Sequence, residues 1–139
     1  MHSPLHALAA AVPGAHRERA TLADLQNVID RLDATLRTAG AGRRPLLDVA
    51  NEVGPATRIL SALAADHRRL RGRSPAVRIA EAAVCDALSL EYQTRPMGRY
   101  LPDQYLRRRL WDVVRKMQRA CITLRWEQVR RSSSVTAPW

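Results

Sequence analysis

Two tryptophans near the C-terminus have arginines at helical spacing. Arg108 and Arg115 lie three before and four after Trp111, and Arg130 lies four after Trp126. On a helix those offsets let a guanidinium stack on an indole while its N–H groups stay free for an anion. Arg107, Lys116 and Arg119 fall in the same stretch, so the chemistry on offer is capture of phosphates or carboxylates. Other chemistries lack a pattern. His2, His6, His16 and His67 show no ligand spacing, so neither metal nor cofactor is expected. No Ser/His/Asp or Cys/His arrangement can be argued, and no glycine-rich phosphate loop follows a strand. An enzyme is not expected.

The charge of the whole chain points the same way. Residues 1–66 hold seven Arg against seven carboxylates and are neutral, whereas residues 67–139 hold 16 basic residues against six acids, which is the full +10. An imbalance confined to one half suggests a polyanionic partner, usually nucleic acid, less often an acidic protein or anionic membrane. Arg outnumbers Lys 22 to 1, which a compositional bias also produces.

The elements that must carry these residues are helices. Leu106, Leu110, Val113, Met117, Ala120 and Leu124 step at 4, 3, 4, 3, 4, so Pro102–Arg131 reads as a long amphipathic helix with Arg108, Arg115, Lys116, Arg119 and Arg130 on its outer side. Thr21 and Asp24 suggest a capping box ahead of a face of Leu22, Leu25, Val28, Ile29, Leu32 and Leu36, ended by Gly40-Ala41-Gly42. A short helix follows from Pro45 to Val53. Gly54-Pro55 breaks it, and another runs from Pro55 to about Arg71. Gly72-Arg73-Ser74 forms a turn, and Ser74-Pro75 opens a helix to about Gln93 with Val77, Ile79, Ala80, Val84, Leu88 and Tyr92 as its apolar face. No alternating strand pattern occurs. The expectation is an all-α protein, an irregular bundle of about five helices in residues 20–131, with a loose arm at 1–19 and a flexible tail at 132–139. Cys85 and Cys121 each fall mid-helix on an apolar side and are expected to be free thiols. No run approaches the roughly 20 apolar residues of a membrane span, and Leu5–Val12 lacks the basic flank of a signal peptide, so a cytoplasmic location is expected.

Residues 46–65 carry the sharpest local motif. Leu46-Leu47-Asp48-Val49-Ala50-Asn51-Glu52-Val53-Gly54-Pro55 resembles the helix-turn-helix of bacterial repressors, in particular the Asp-Val-Ala-x-x-x-Gly stretch of the lactose-repressor family. Ala50 stands where two helices must cross closely, Gly54 where the turn takes a positive φ, and Val49, Val53, Leu60 and Leu63 where each helix faces inward. The resemblance implies a DNA-reading second helix. Its outer face here shows Ala56, Thr57, Arg58, Ser61, Ala62 and Ala65, so Arg58 is the one cation near the groove.

Leu22–Asp33 resembles the opening helix of the all-helical chorismate mutases, whose arginine-lined site binds a dicarboxylate. Gln26 stands where that family carries a substrate-binding arginine, and Cys121 or Ile122 where a catalytic Gln or Glu is expected.

Two functions follow. The first is a small basic helical regulator that binds nucleic acid as a homodimer, with Arg107, Arg108, Arg115, Lys116 and Arg119 on phosphates and Arg58 near the groove. The second is a protein-interaction module, an adaptor or inhibitor of phage, plasmid or secretion-associated type. Its cationic surface, including Trp111, Trp126 and Arg130, would grip an acidic protein.

Overall fold

The computed structural model describes residues 20–38, 43–94 and 101–136, and every regular element among them is a helix: α1 Leu22–Thr38, α2 Arg43–Arg71, α3 Pro75–Thr94 and α4 Asp103–Thr136. The expected arm at 1–19, the Gly40-Ala41-Gly42 stop, most of the loop before α4 and residues 137–139 lie outside the described residues. Helices α2 and α4 each pack against the other three elements. Helices α1 and α3 flank that central pair and do not touch each other among the described residues.

Local signals start α1 and α3 as expected, whereas α2 begins at Arg43, two residues before the expected Pro45. The Thr21 amide donates to Asp24 Oδ2 at 2.8 Å, and the Asp24 amide donates back to Thr21 Oγ1 at 3.2 Å, a reciprocal capping box on α1. Gly72, at φ 74°, donates its amide to the Arg68 carbonyl at 2.7 Å and closes α2 in the left-handed region that glycine tolerates best. Ser74 Oγ then accepts the Val77 amide at 3.3 Å, and Pro75 takes the first position of α3, where no N–H is missed. Helix α4 buries Leu106, Leu110, Val113, Met117, Ala120 and Leu124, as the spacing predicts. It runs on to Thr136, beyond the expected end at Arg131 and into the stretch expected to be a flexible tail.

Four helices form where about five are expected, because α2 continues through Gly54-Pro55. The turn required by a helix-turn-helix is therefore absent. Gly54 is helical, and Gly72 is the positive-φ glycine among the described residues. The physical reason is phase. Leu46, Val49, Val53, Ala56, Leu60, Ala64 and His67 step at 3, 4, 3, 4, 4, 3 across Gly54 and Pro55 and are all buried. An interior proline costs about 3 kcal/mol. Burying side chains such as Val53, Ile59 and Leu60 returns about 1.5–3 kcal/mol each, and only one unbroken helix buries them all. Pro55 has no N–H for the Asn51 carbonyl, but Asn51 lies on the exposed side, where water is at hand. Thr57, buried two residues later, donates its hydroxyl to the Val53 carbonyl at 2.8 Å.

Helix α3 also differs from its expected face. Its buried residues are Ala76, Val77, Ala80, Ala83, Ala87 and Leu90, while Leu88 and Tyr92 point outward. Cys85 lies on that exposed side rather than on an apolar one. Cys121 is buried, and both are free thiols.

One carboxylate joins three helices. Glu127 of α4 accepts from His67 Nε2 of α2 at 2.7 Å and from the Ala76 amide in the first turn of α3 at 3.0 Å. Burial pushes its pKa up, but hydrogen bonds from Ser74, His67 and the Ala76 N–H outweigh that and hold it below the usual glutamate value.

Two outcomes follow. Gly54→Ala should stabilise the protein by about 0.5–1 kcal/mol in chemical denaturation, since the new methyl meets only Arg58 Nη1, at 3.8 Å. A helix-turn-helix glycine would give the opposite sign. Glu127→Gln should cost about 1–3 kcal/mol at neutral pH. A carboxylate with a lowered folded-state pKa adds stability that is present above its unfolded-state value and is lost as pH falls through the folded one. The variant should therefore show a shallower loss of melting temperature on acidification than the parent.

Candidate functional site

The residues expected to grip an anion sort into two groups on α4. Arg107, Trp111 and Lys116 are used within the fold. Arg107 is half-buried and donates Nη2 to the Leu36 carbonyl in the last turn of α1 at 3.5 Å. Trp111 is half-buried against the core, with Arg37 and Arg115 over its ring at 5.5 and 5.7 Å. Arg37 of α1 thus takes the stacking place that spacing assigned to Arg108. Lys116 sits between Asp86 of α3 at 3.2 Å and Asp112 at 3.1 Å, and hydrogen bonds to Asp112 and Asp86 raise its pKa above the usual lysine value.

Arg109 was not foreseen, and it anchors the α3–α4 seam. Its Nη1 reaches both Asp86 carboxylate oxygens at 3.2 Å, and its Nη2 reaches the Asp86 carbonyl at 3.4 Å. Burial raises the pKa of Asp86, but Arg109 and Lys116 together hold it below the ordinary aspartate value. The clue was angular. Arg109 borders the Leu106–Leu110 stripe instead of lying opposite it, so its head group meets α3 before it meets water.

Arg58 is exposed, but it does not join the α4 surface. It lies nine residues before His67, whose ring faces α4, and nine residues at about 100° each turn the helix by half a revolution.

Arg108, Arg115, Arg119, Trp126 and Arg130 remain, all exposed on the outer side of α4. Among the described residues no carboxylate pairs with these arginines or with Arg125. Arg108 to Arg130 spans about 33 Å at 1.5 Å per residue. Within this ridge lies an apolar line missed in the sequence: Ile122, Trp126 and Val129, exposed at 52%, 63% and 52% and spaced 4 and 3 apart. The hydrophobic spacing that marked the core stripe also marks this second one, but only the first has a partner helix. Beyond Glu127, which sits against the α2–α3 turn, Gln128, Val129 and Arg130 of α4 are exposed.

Of the chorismate-mutase-like positions, Gln26 and Cys121 are used in internal contacts and Ile122 is exposed. Gln26 Nε2 donates to Asp30 at 2.7 Å, and Gln26 Oε1 lies 3.5 Å from the buried Cys121 sulfur. Among the described residues no three His, Cys, Asp or Glu side chains are grouped to hold a metal ion, and no helix is long and apolar enough to cross a membrane. No family model matches the chain, and neither a curated protein nor a solved structure matches it.

Proposed function

We propose that this protein is a helical interaction module that holds an acidic protein partner along the outer face of α4. The observation that carries this reading is the Ile122–Trp126–Val129 line bracketed by Arg119, Arg125 and Arg130. Tryptophan and arginine are the side chains most enriched where protein interfaces concentrate their binding energy. An apolar line at i, i+4 and i+7 is how a helix presents itself to a groove in another protein. A phosphate backbone gives Ile122 and Val129 nothing to bury against.

Nucleic acid is the second reading. It is favoured by Arg108, Arg115 and Arg119, which stand on one face without carboxylate partners. Any such binding would be of the backbone-tracking kind, because the recognition helix implied at residues 46–65 is part of a continuous α2 and Arg58 points away from α4.

The two readings separate in a titration against an acidic amphipathic helical peptide and against mixed-sequence duplex DNA, each at two salt concentrations. Trp126→Ala should weaken the peptide at least tenfold and leave helix content unchanged, because the indole is mostly solvated in the free protein. Replacing Arg108, Arg115 and Arg119 by Ala should flatten the salt dependence for whichever probe binds, by about 0.9 in the log–log slope per lost phosphate contact on DNA. Tight DNA binding indifferent to Trp126→Ala, together with no affinity for the peptide, would replace the first reading by the second.

A further inference from the structure

The opposite flank of the bundle has a different character. Along the exposed face of α3, Ala82, Cys85, Leu88, Ser89 and Tyr92 carry no charge. Asp86, within the same stretch, is turned into the Arg109–Lys116 network. Leu88 and Tyr92 stand out from this face, 51% and 71% exposed. Just before them, between α3 and α2, runs an open groove of about 660 Å³. Small side chains line it, Ser61, Ala64 and Ala65 from α2 and Val84 and Cys85 from α3. Its charges are largely paired, with one arginine in excess: Arg68 and Arg73 share Glu81 at 3.2 and 3.7 Å, and Arg69 pairs with Asp66. On α2 the neutral stretch is bounded by Arg58, and on α3 by Arg78.

We propose that this face pairs with a second copy of the chain, Leu88 of each protomer seating in the α2–α3 groove of the other. The inference is independent of the α4 reading and rests on shape and charge. Cys85 lines the groove and Leu88 is the knob, three residues on, or about 4.5 Å along the helix. A twofold axis perpendicular to α3, passing between the two copies at the level midway between these residues, runs the two helices antiparallel and exchanges knob and groove. A self-complementary patch of this kind is what an isologous interface requires. Ala82, Cys85 and Ser89 let the two backbones approach. Tyr92 of one copy then lies over the Arg68–Glu81 pair of the other, where its hydroxyl has polar partners.

Charge selects the same occupant. In a symmetric pair the same patch meets itself, so pairing through α4 would set Arg115, Arg119 and Arg130 against their own copies on a chain of net charge +10. The α3 face brings together uncharged residues and largely compensated ion pairs, so self-association there meets less like-charge repulsion than it would at α4.

The two cysteines provide the test. Cys85 is exposed in the protomer and becomes covered in the pair, whereas Cys121 is buried in both. Maleimide labelling of the full chain should therefore slow several-fold at Cys85 as protein concentration rises, with Cys121 unreactive throughout. Sedimentation over the same range should show the mass rising from 15.6 kDa to twice that value and no further. Leu88→Glu should hold the protein at the monomer mass and restore fast labelling of Cys85. Circular dichroism should be unchanged, because Leu88 is not part of the core. A monomer with concentration-independent labelling would overturn the proposal. So would a series of masses beyond two, or a dimer in which Cys85 stays reactive and Leu88→Glu has no effect.

Discussion

Helix α3 approaches its two neighbours across alanine. Ala76, Ala80, Ala83 and Ala87 make up most of its buried line, with Val77 and Leu90 as the larger side chains, so α2 and α4 pack close to its backbone. Close approach at native packing density leaves Leu88 and Tyr92 no inward place, although both are more hydrophobic than the alanines that displaced them. It also brings the α4 backbone near enough for Arg109 to reach both the carboxylate and the carbonyl of Asp86. The packing of this one seam sets which apolar residues remain on the surface and which cations are consumed inside the fold.

The formal charge consequently overstates what is available to a partner. Arg109 and Lys116 are committed to Asp86, Arg107 to the end of α1, and Arg68, Arg69 and Arg73 to nearby acids. Exposed ion pairs of this last kind contribute about 0–1 kcal/mol each to stability, but they cancel the local field. Among the described residues the longest run of uncompensated arginines is on the outer side of α4. The flank formed by α2 and α3 is close to neutral along its groove. The molecule therefore has two chemically distinct flanks, one able to attract an anionic partner and one able to approach its own kind.

Much of the fold was legible where a local rule and the global pattern agreed. Thr21 and Asp24, Ser74 and Pro75, and the 4-3-4 stripe of the last helix each specify a feature that packing then supports. The failures came where two rules disagreed. At Gly54-Pro55 the breaker residues argued for a turn and the hydrophobic phase argued for continuity. Phase prevailed, because burial over three turns outweighs a single missing hydrogen bond. In α3 the larger residues suggested the inward face, but the separation of the neighbouring helices decided it, and that separation is a tertiary property no single segment reports. The site was legible in part. Arg108, Arg115, Arg119, Trp126 and Arg130 emerge on the surface. Arg37 over Trp111 could not be read, since it comes from α1, 74 positions earlier in the chain.

Glu127 bears on how the two flanks relate. It holds the α2–α3 turn through His67 and the Ala76 amide, and it lies between Trp126 and Gln128 on the helix that carries the cationic ridge. The same turn of α4 therefore faces the junction with one side and solvent with the other. Trp126 thus stands on a helix tied at the next residue by Glu127, and the end of α3 held by that carboxylate leads directly into the neutral face. The two flanks differ in chemistry, yet one carboxylate joins the elements that bear them.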